Sequence, residues 1–464
     1  MMIFPLDNNS KTPLYIQMYT EIKKQIQNGN FRADERLPSK KNFMEHYHIS
    51  QSTVQNALYL LLEEGYIYSI ERRGYFVANV ENMVTTPFLC EHKTKEENIQ
   101  KIKYDFAYSG VDAQSIPKTI FKRITRDIYE EQNEDLLFQG DIQGYFPLRE
   151  SICQYLLNSR GFSVNPSQII ISSGIEYLFY IIFKIFEKKI YGLENPGYKM
   201  LRELFASNQI EFYPISLDES GIMVEELKKR RIQIACITPS HQFPTGVIMP
   251  IQRRNELLHW ANSSEEHYIV EDDYDSEFKY NGRPIPALKA IDQKDKVIYM
   301  GSFSKSISPA IRVSYMVLPK NLLNIYEKKL PYFICPVSTL SQKILYKFIA
   351  EGHFVKHLNR MRTLYKQKRE FVVQCFKKTN ITILGADAGL HLLLSFPYFL
   401  DEEKFLEECR KHYVRIYSIR EYYFQDKPSQ NSIFLLGYAS LQKEQIQEGI
   451  SILLKLLEKH KHIL

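Results

Sequence analysis

No Cys-x-x-Cys pair occurs in this chain of 464 residues, and its six cysteines (Cys90, Cys153, Cys236, Cys335, Cys375, Cys409) stand far apart with no histidine at zinc-ligand spacing. That pattern argues against a zinc module and a disulfide framework, and it reads as reduced thiols with no bound metal. Long apolar runs are missing too. The most apolar segment, "YLFYIIFKIF" at 177–186, is interrupted by Lys184 and is far too short to span a bilayer. The start "MMIFPLDNNSK" lacks the basic opening and apolar stretch of a signal peptide, so a cytoplasmic protein with no membrane partner is expected. Internal repeats and low-complexity tracts are also lacking. A strong charge of either sign is absent: the net charge is +6, which permits an acidic partner without implying one.

What is present is a globular composition, 44% hydrophobic and 25% charged, in a chain longer than the roughly 250–300 residues at which one core stops growing. At least two domains follow. The first spans residues 1–78. Apolar residues recur at helical spacing from Leu14 to Ile26, and Gly29 ends the run. "LPSKKNFMEHY" offers Ser39 as the N-cap of a short helix with Phe43, Met44 and Tyr47 inward. After "HIS", a second helix runs from Gln51 to about Glu64, with Val54, Leu58, Leu61 and Leu62 inward and Gly65 as its stop. "YIYSIERRGYFVANV" then alternates apolar and polar residues around a basic tip, the pattern of a two-stranded hairpin.

This is the plan of a winged helix-turn-helix that reads double-stranded DNA. Gln51, Ser52, Thr53 and Gln55 would face the major groove, Arg72 and Arg73 would reach from the wing, and Ser39, Lys40 and Lys41 would meet phosphate. The plainer alternative is a small helical domain with a solvated face. Residues 1–78 hold nine cationic and eight anionic side chains, so binding would depend on local placement or on paired heads.

Residues 79–104 lose periodicity and gain charge, which suggests a linker. From 105 to 464, short apolar strands alternate with helical stretches ("QIIISSG", "QIACITPS", "HYIVEDDYDSEF", "KVIYMGSFSK"), the pattern of a mostly parallel α/β sheet. Ligands gather at the carboxyl ends of such strands, and each of these strands ends in a polar cluster. Ser173 and Gly174 stand at a strand-to-helix turn, the carboxylates Glu271, Asp272, Asp273 and Asp275 and the hydroxyl of Tyr274 follow a second strand, and Ser302, Ser304, Lys305 and Arg312 follow a third. A phosphate cradle, an acid and an amine together fit pyridoxal 5'-phosphate. Taken singly, the serine loop reads as solvated, and the run Glu271, Asp272, Asp273, Asp275 could instead be a solvated face or, as the lesser alternative, a divalent-metal site.

"LPSKKNFMEHYHISQSTVQNALYLLLEEGYIYSIERRGYFV" resembles the winged-helix domain of the GntR superfamily, with Lys41 and Gln51 where arginines are usual. Without those arginines a bidentate guanine contact is lost. The segments "DIQGYFPLRESICQYL", "ENPGYKML", "TPSHQFPTGVIMP", "VEDDYDSEFKY" and "YMGSFSKSISPAIRVSYMVLP" resemble fold-type I aminotransferases. The fusion of the two is similar to the MocR subfamily, and most closely to its GabR type. The resemblance implies a large subdomain at roughly 136–320 and a smaller α+β one built from the remaining ends of 105–464. It further implies that Lys305 forms the Schiff base, Asp272 pairs with the pyridine nitrogen, and Tyr274 bonds the phenolic oxygen with Gln242 or His241 nearby. Tyr198 would stack on the ring, Ser173, Gly174, Ser302, Ser304 and Arg312 would hold the phosphate, and Arg420 would grip an effector's carboxylate. Met200 stands where γ-aminobutyrate sensors carry arginine, which argues against that effector.

The function implied is a PLP-dependent homodimeric regulator that senses an amino compound by imine exchange at Lys305. A working aminotransferase with an appended head, and a sensor of the cofactor itself, are the alternatives.

Overall fold

The computed structural model describes residues 5–7, 10, 12–79, 102–131, 134–280, 286–424 and 431–461, with side chains of the last helix taken only to residue 459. Most of the linker expected at 79–104 therefore lies outside the described residues. The chain divides into two compact units, 1–97 and 98–464.

In the first unit, α1 (Leu14–Gln27), α2 (Lys40–Tyr47) and α3 (Gln51–Glu63) precede a hairpin of β1 (Ile67–Ile70) and β2 (Gly74–Val77). Met18, Ile22 and Ile26 recur every four residues and are the buried stripe of α1. Ser39 caps α2 by accepting from the Asn42 N–H at 3.2 Å, and Ser50 caps α3 by accepting from the Thr53 N–H at 3.2 Å. Gly65, at φ +74, ends α3 in the left-handed conformation that side-chain-bearing residues resist. Val54, Leu58 and Leu61 are buried as expected, but the fourth buried position is Ala57, while Leu62 is exposed. Ala57 lies one turn before Leu61, whereas Leu62 sits about 100° further round the helix.

The second unit begins with β3 (Tyr104–Asp105), α4 (Lys118–Glu130) and α5 (Phe146–Arg160), and continues through β4 (Ile169–Ser172), α6 (Ile175–Ile185), β5 (Tyr191–Asn195) and α7 (Lys199–Ser207). The strands that follow are β6 (Phe212–Asp218), β7 (Gly221–Ile222), β8 (Ile234–Ile237), β9 (Tyr268–Asp273), β10 (Val297–Ser302) and β11 (Ser314–Val317). Eight of these form one sheet in the order β4-β11-β10-β9-β8-β5-β6-β7. Neighbours from β10 through β9, β8 and β5 to β6 are parallel, and β11 runs against both β10 and β4. This is the mostly parallel α/β sheet expected.

Both faces of the sheet are covered. Val270, Ile298 and Met300 pack with Leu178, Phe179 and Ile182 of α6, whereas Ile269 and Val297 pack with Leu257 and Trp260 of the helix Ile251–Asn262. That burial on both sides explains the continuous apolar runs of the central strands. Lys184 is exposed on α6, which accounts for the interruption in its apolar run.

A second sheet of four strands follows, built from β12 (Thr382–Leu384), β13 (His391–Ser395), β15 (Tyr417–Ser418) and β16 (Ile433–Gly437), while β14 (Val414–Arg415) pairs with β3. The helix Lys443–Lys461 packs on it through Ile446, Ile450 and Leu453. No helix among the described residues is long and apolar enough to cross a membrane.

Candidate functional site

The carboxyl ends of β4, β8, β9 and β10 surround a cavity lined by Gly174, Tyr198, Asp272, Tyr274, Ser302, Ser304, Lys305 and Arg312. All eight were expected from the sequence. The antiparallel β11 adds Ser314 from its starting end, and Tyr108, Met200, Thr238, Phe243 and Glu176 are among the other wall residues.

Strand alternation decides which acid faces the cavity. Glu271 and Asp273 point to the same side of β9, and each is already partnered. Glu271 accepts from the N–H groups of Leu288 and Lys289 at 2.8 and 2.9 Å. Asp273 accepts from the Tyr299 hydroxyl and lies against the Arg160 guanidinium, both at 2.6 Å. Asp275 is 2.9 Å from His241. Only Asp272 of the four lines the cavity. Burial, followed by the nearby carboxylates Asp273, Asp275 and Glu194, pushes its carboxyl well above the ordinary range. The acidic run is thus four separate environments rather than one metal cluster.

Lys305 follows β10, and its Nζ donates to the Tyr108 carbonyl at 2.5 Å. Burial lowers its amine from 10.5 to about 8, with Asp275 pulling the other way. An amine so shifted is a far better nucleophile near neutral pH than an ordinary lysine. Ser302 donates to Ser304 at 2.9 Å and accepts from the Ser304 N–H at 3.1 Å, folding this loop over the cavity rim.

Opposite, Gly174 turns β4 into α6 at φ +90. A Cβ there would collide with the Arg312 guanidinium and the Glu176 carboxylate, so the close approach of these groups requires glycine. Arg312 Nη2 lies 2.9 Å from Glu176 Oε2, and its side chain is half exposed. Ser173 belongs to the same turn but does not line the cavity.

Gln242 and Arg420 are placed otherwise than expected. Gln242 Nε2 donates to Glu194 and to the Pro196 and Phe243 carbonyls, and its Oε1 accepts from Thr245, so every polar group is spent behind the wall. It is the neighbouring His241 whose Nδ1 lies 3.2 Å from the Tyr274 hydroxyl. Arg420 sits on the short turn Ile419–Tyr422 with Nε 3.3 Å from Glu402 and its guanidinium over the Phe399 ring, away from the cavity. The same turn instead buries Tyr422 against Phe243.

Tyr108 was not among the expected residues, yet its ring centroid is 4.7 Å from that of Phe243 and 6.3 Å from those of Tyr198 and Tyr422. It reaches the site from 197 residues before Lys305, and no local pattern announces such a contact.

In the first unit, Ser39, Lys41, Gln51, Ser52, Gln55, Arg72 and Arg73 are exposed, while Lys40 and Thr53 are half-buried. Lys40 lies over the Tyr75 ring and Arg73 over the Phe76 ring. Gln51, Ser52 and Gln55 share the solvent side of α3 with Tyr59, a residue the sequence reading passed over.

Residues 14–77 match the family described as bacterial regulatory proteins, gntR family, and residues 107–453 match aminotransferase class I and II. The chain is 37% identical over 456 residues to the Bacillus subtilis HTH-type transcriptional regulator YdeL, covering 96% of this chain and 97% of that protein. It is 29% identical to the probable rhizopine catabolism regulatory protein MocR of Rhizobium meliloti, covering 97% and 94%. Among solved structures, the kynurenine aminotransferase of Pyrococcus horikoshii superposes with a TM-score of 0.68 at 26% identity, covering 76% of this chain and 90% of that one.

Proposed function

The chain belongs to the MocR-type fusions of a gntR-family head with an aminotransferase class I and II body, and from that premise we propose that it is a DNA-binding regulator that carries pyridoxal 5'-phosphate and responds to an amino compound. The observation that carries this reading is the pairing in one cavity of Lys305, the amine that burial lowers, with Asp272, the one acid of its run left facing inward.

The donor set fits the cofactor. Asp272 stands where a carboxylate can hold a pyridine nitrogen protonated, Tyr274 offers a hydroxyl, and Tyr198 offers a ring face. Ser302, Ser304, the Gly174 turn and Arg312 offer hydroxyl, N–H and guanidinium groups for a phosphate ester. Bound there, the cofactor supplies an aldehyde that exchanges one amine for another. Lys305 contributes the resident amine, and the effector the competing one.

The effector is best described as a small amine with an apolar body. Tyr108, Tyr198, Phe243 and Met200 form the walls it would meet, and the placement of Arg420 does not support a carboxylate grip. Met200 in place of a cation argues against γ-aminobutyrate. The head is taken as residues 1–78, with a linker that begins at 79 and ends before Tyr104, which the expected bound of 104 had included but which belongs to β3 of the body, and the head reads double-stranded DNA through α3 and the wing. A homodimer is supported by an exposed apolar surface on the body, where Tyr129, Phe138 and Phe146 stand about adjoining hollows. An effector alters DNA binding to the extent that it binds one state of this dimer better than another.

The test is a panel of amines, amino acids and dipeptides added to the cofactor-loaded full-length protein. The visible band is followed in parallel with affinity for duplexes selected from a random library. The compound that perturbs the band should change DNA affinity. A response of DNA affinity to the cofactor alone would make the protein a cofactor sensor. Turnover of amino and keto acids on the order of 10 per second, typical of enzymes, would make it a working aminotransferase.

A further inference from the structure

Behind the Tyr274 wall stand three buried side chains to which the proposed function gives no role: His241 after β8, Asp275 after β9 and His391 at the start of β13. His241 Nδ1 is 2.9 Å from Asp275 Oδ2 and 3.2 Å from the Tyr274 hydroxyl. A carboxylate only accepts, so the hydrogen between the first two sits on Nδ1. The Tyr274 oxygen then also faces an N–H, and it receives from His241 rather than giving to it. The hydroxyl hydrogen of Tyr274 is thereby left for an acceptor in the cavity.

The surroundings hold this arrangement in place. Gly389, at φ +72, lets the bend before β13 pass so close that a Cβ would collide with the His241 ring and the Asp275 carboxylate. His391 lies with its ring centroid 4.8 Å from that of His241 and gives its Nε2 hydrogen to the Pro244 carbonyl at 3.2 Å. Burial, followed by His241, lowers His391 well below the ordinary range, so it stays neutral. Among the described residues, the titratable groups facing His241 are Asp275, Tyr274 and His391, with Lys305 acting on the pair from the cavity side.

We propose that His241 and Asp275 are positioning residues that turn the Tyr274 hydroxyl into an obligate donor toward the cavity, where it would donate to the phenolic oxygen of the pyridine cofactor. The inference rests on the reading that pyridoxal phosphate binds at Lys305. A donor at that oxygen favours the ring form with negative charge there, which is the form with an unprotonated imine. Loss of the donor therefore moves the pH midpoint of the visible band upward.

The experiment is a pH titration of the visible band of the full-length protein loaded with pyridoxal phosphate. Tyr274→Phe should raise the midpoint by about one pH unit or more, the scale of one lost charge-assisted hydrogen bond. His241→Phe should raise it by about half as much. His241→Asn, whose amide N–H can stand in for Nδ1–H, should return it toward the parent. The double variant Tyr274→Phe/His241→Phe should match Tyr274→Phe alone, because His241 acts through the tyrosine. An equal extra shift in the double variant, or no shift on losing His241 while Tyr274→Phe shifts, would overturn the proposal. So would a stoichiometric divalent metal bound by the three side chains in the purified protein. Absence of any visible band in the parent on adding pyridoxal phosphate would instead defeat the cofactor reading on which the inference rests. If His241→Phe fails to fold, His241→Asn and Tyr274→Phe decide between the same outcomes.

Discussion

The two units carry their candidate functional side chains in opposite ways. On the head, Gln51, Ser52, Gln55, Arg72 and Arg73 stand in solvent, and the fold beneath them is held by the caps Ser50 and Ser39 and a small core. In the body, Lys305, Asp272 and Tyr274 are enclosed, and their protonation is set by burial and by neighbours. Substitutions should therefore separate the two. Changes at the head's surface should alter binding while leaving the fold intact, whereas changes in the body should appear as spectra, pH profiles and stability.

The sharpest break of that comparison is Lys305→Ala. It should abolish the visible imine band completely while leaving DNA binding by the cofactor-free protein unchanged in a gel shift.

Glu194 offers the next largest effect. Its carboxyl is buried behind Tyr198, accepts from the Thr238 N–H and hydroxyl, and is pushed by burial from 4.5 up to about 7. The unfolded chain ionises this group near 4.5 and the folded one near 7. Its contribution to stability is therefore intact below 4.5 and lost as pH rises through 7. Glu194→Gln should stabilise the cofactor-free protein by on the order of 3 kcal/mol above pH 7, with the gap closing toward pH 4.5 in denaturant titrations. A gap independent of pH would show that the group does not titrate there.

On the head, Arg72→Ala with Arg73→Ala should weaken DNA binding by roughly 10- to 100-fold and lower the salt slope by about 2. The melting of the protein should stay put, since both side chains are exposed. Unchanged affinity would remove the wing from the interface. Ser50→Ala tests the converse, a head residue whose role is structural. Loss of the cap should cost the head about 1 kcal/mol in chemical denaturation. The smallest effect is expected from Arg420→Ala, because its partner is Glu402: the amine response of the visible band should persist. Its disappearance would restore Arg420 to the effector site.

Strand ends were the legible part of the body. Each apolar run closed on a polar cluster, and the parallel sheet gathers those ends, so Gly174, Tyr274, Ser302, Ser304 and Lys305 were legible there, whereas Asp272 stood out from its acidic run only through the family resemblance. Loops and turns without a period were less legible. In "TPSHQFPTG" nothing local distinguishes His241, which meets Tyr274, from Gln242, which is spent on Glu194 and backbone carbonyls. On the turn Ile419–Tyr422 a cation and an aromatic compete for the inward side, and the aromatic takes it because burying an unpaired guanidinium costs far more. Tyr108 and the His241–Asp275 pair are contacts across long stretches of chain, and sequence pattern carries no record of them. On the head, helical periodicity placed the core except at Leu62, where small Ala57 fills the buried position, and at Met44 and Tyr47, which pack against it only half-buried.

Whether Lys305 holds the cofactor is decided by reductive trapping. The full-length protein is incubated with pyridoxal phosphate, reduced with borohydride, digested and mapped by mass spectrometry. One stoichiometric phosphopyridoxyl adduct is expected, on Lys305 within "SFSKSISPAIR". An adduct spread over surface lysines, or a stoichiometric one on any other residue, would contradict it.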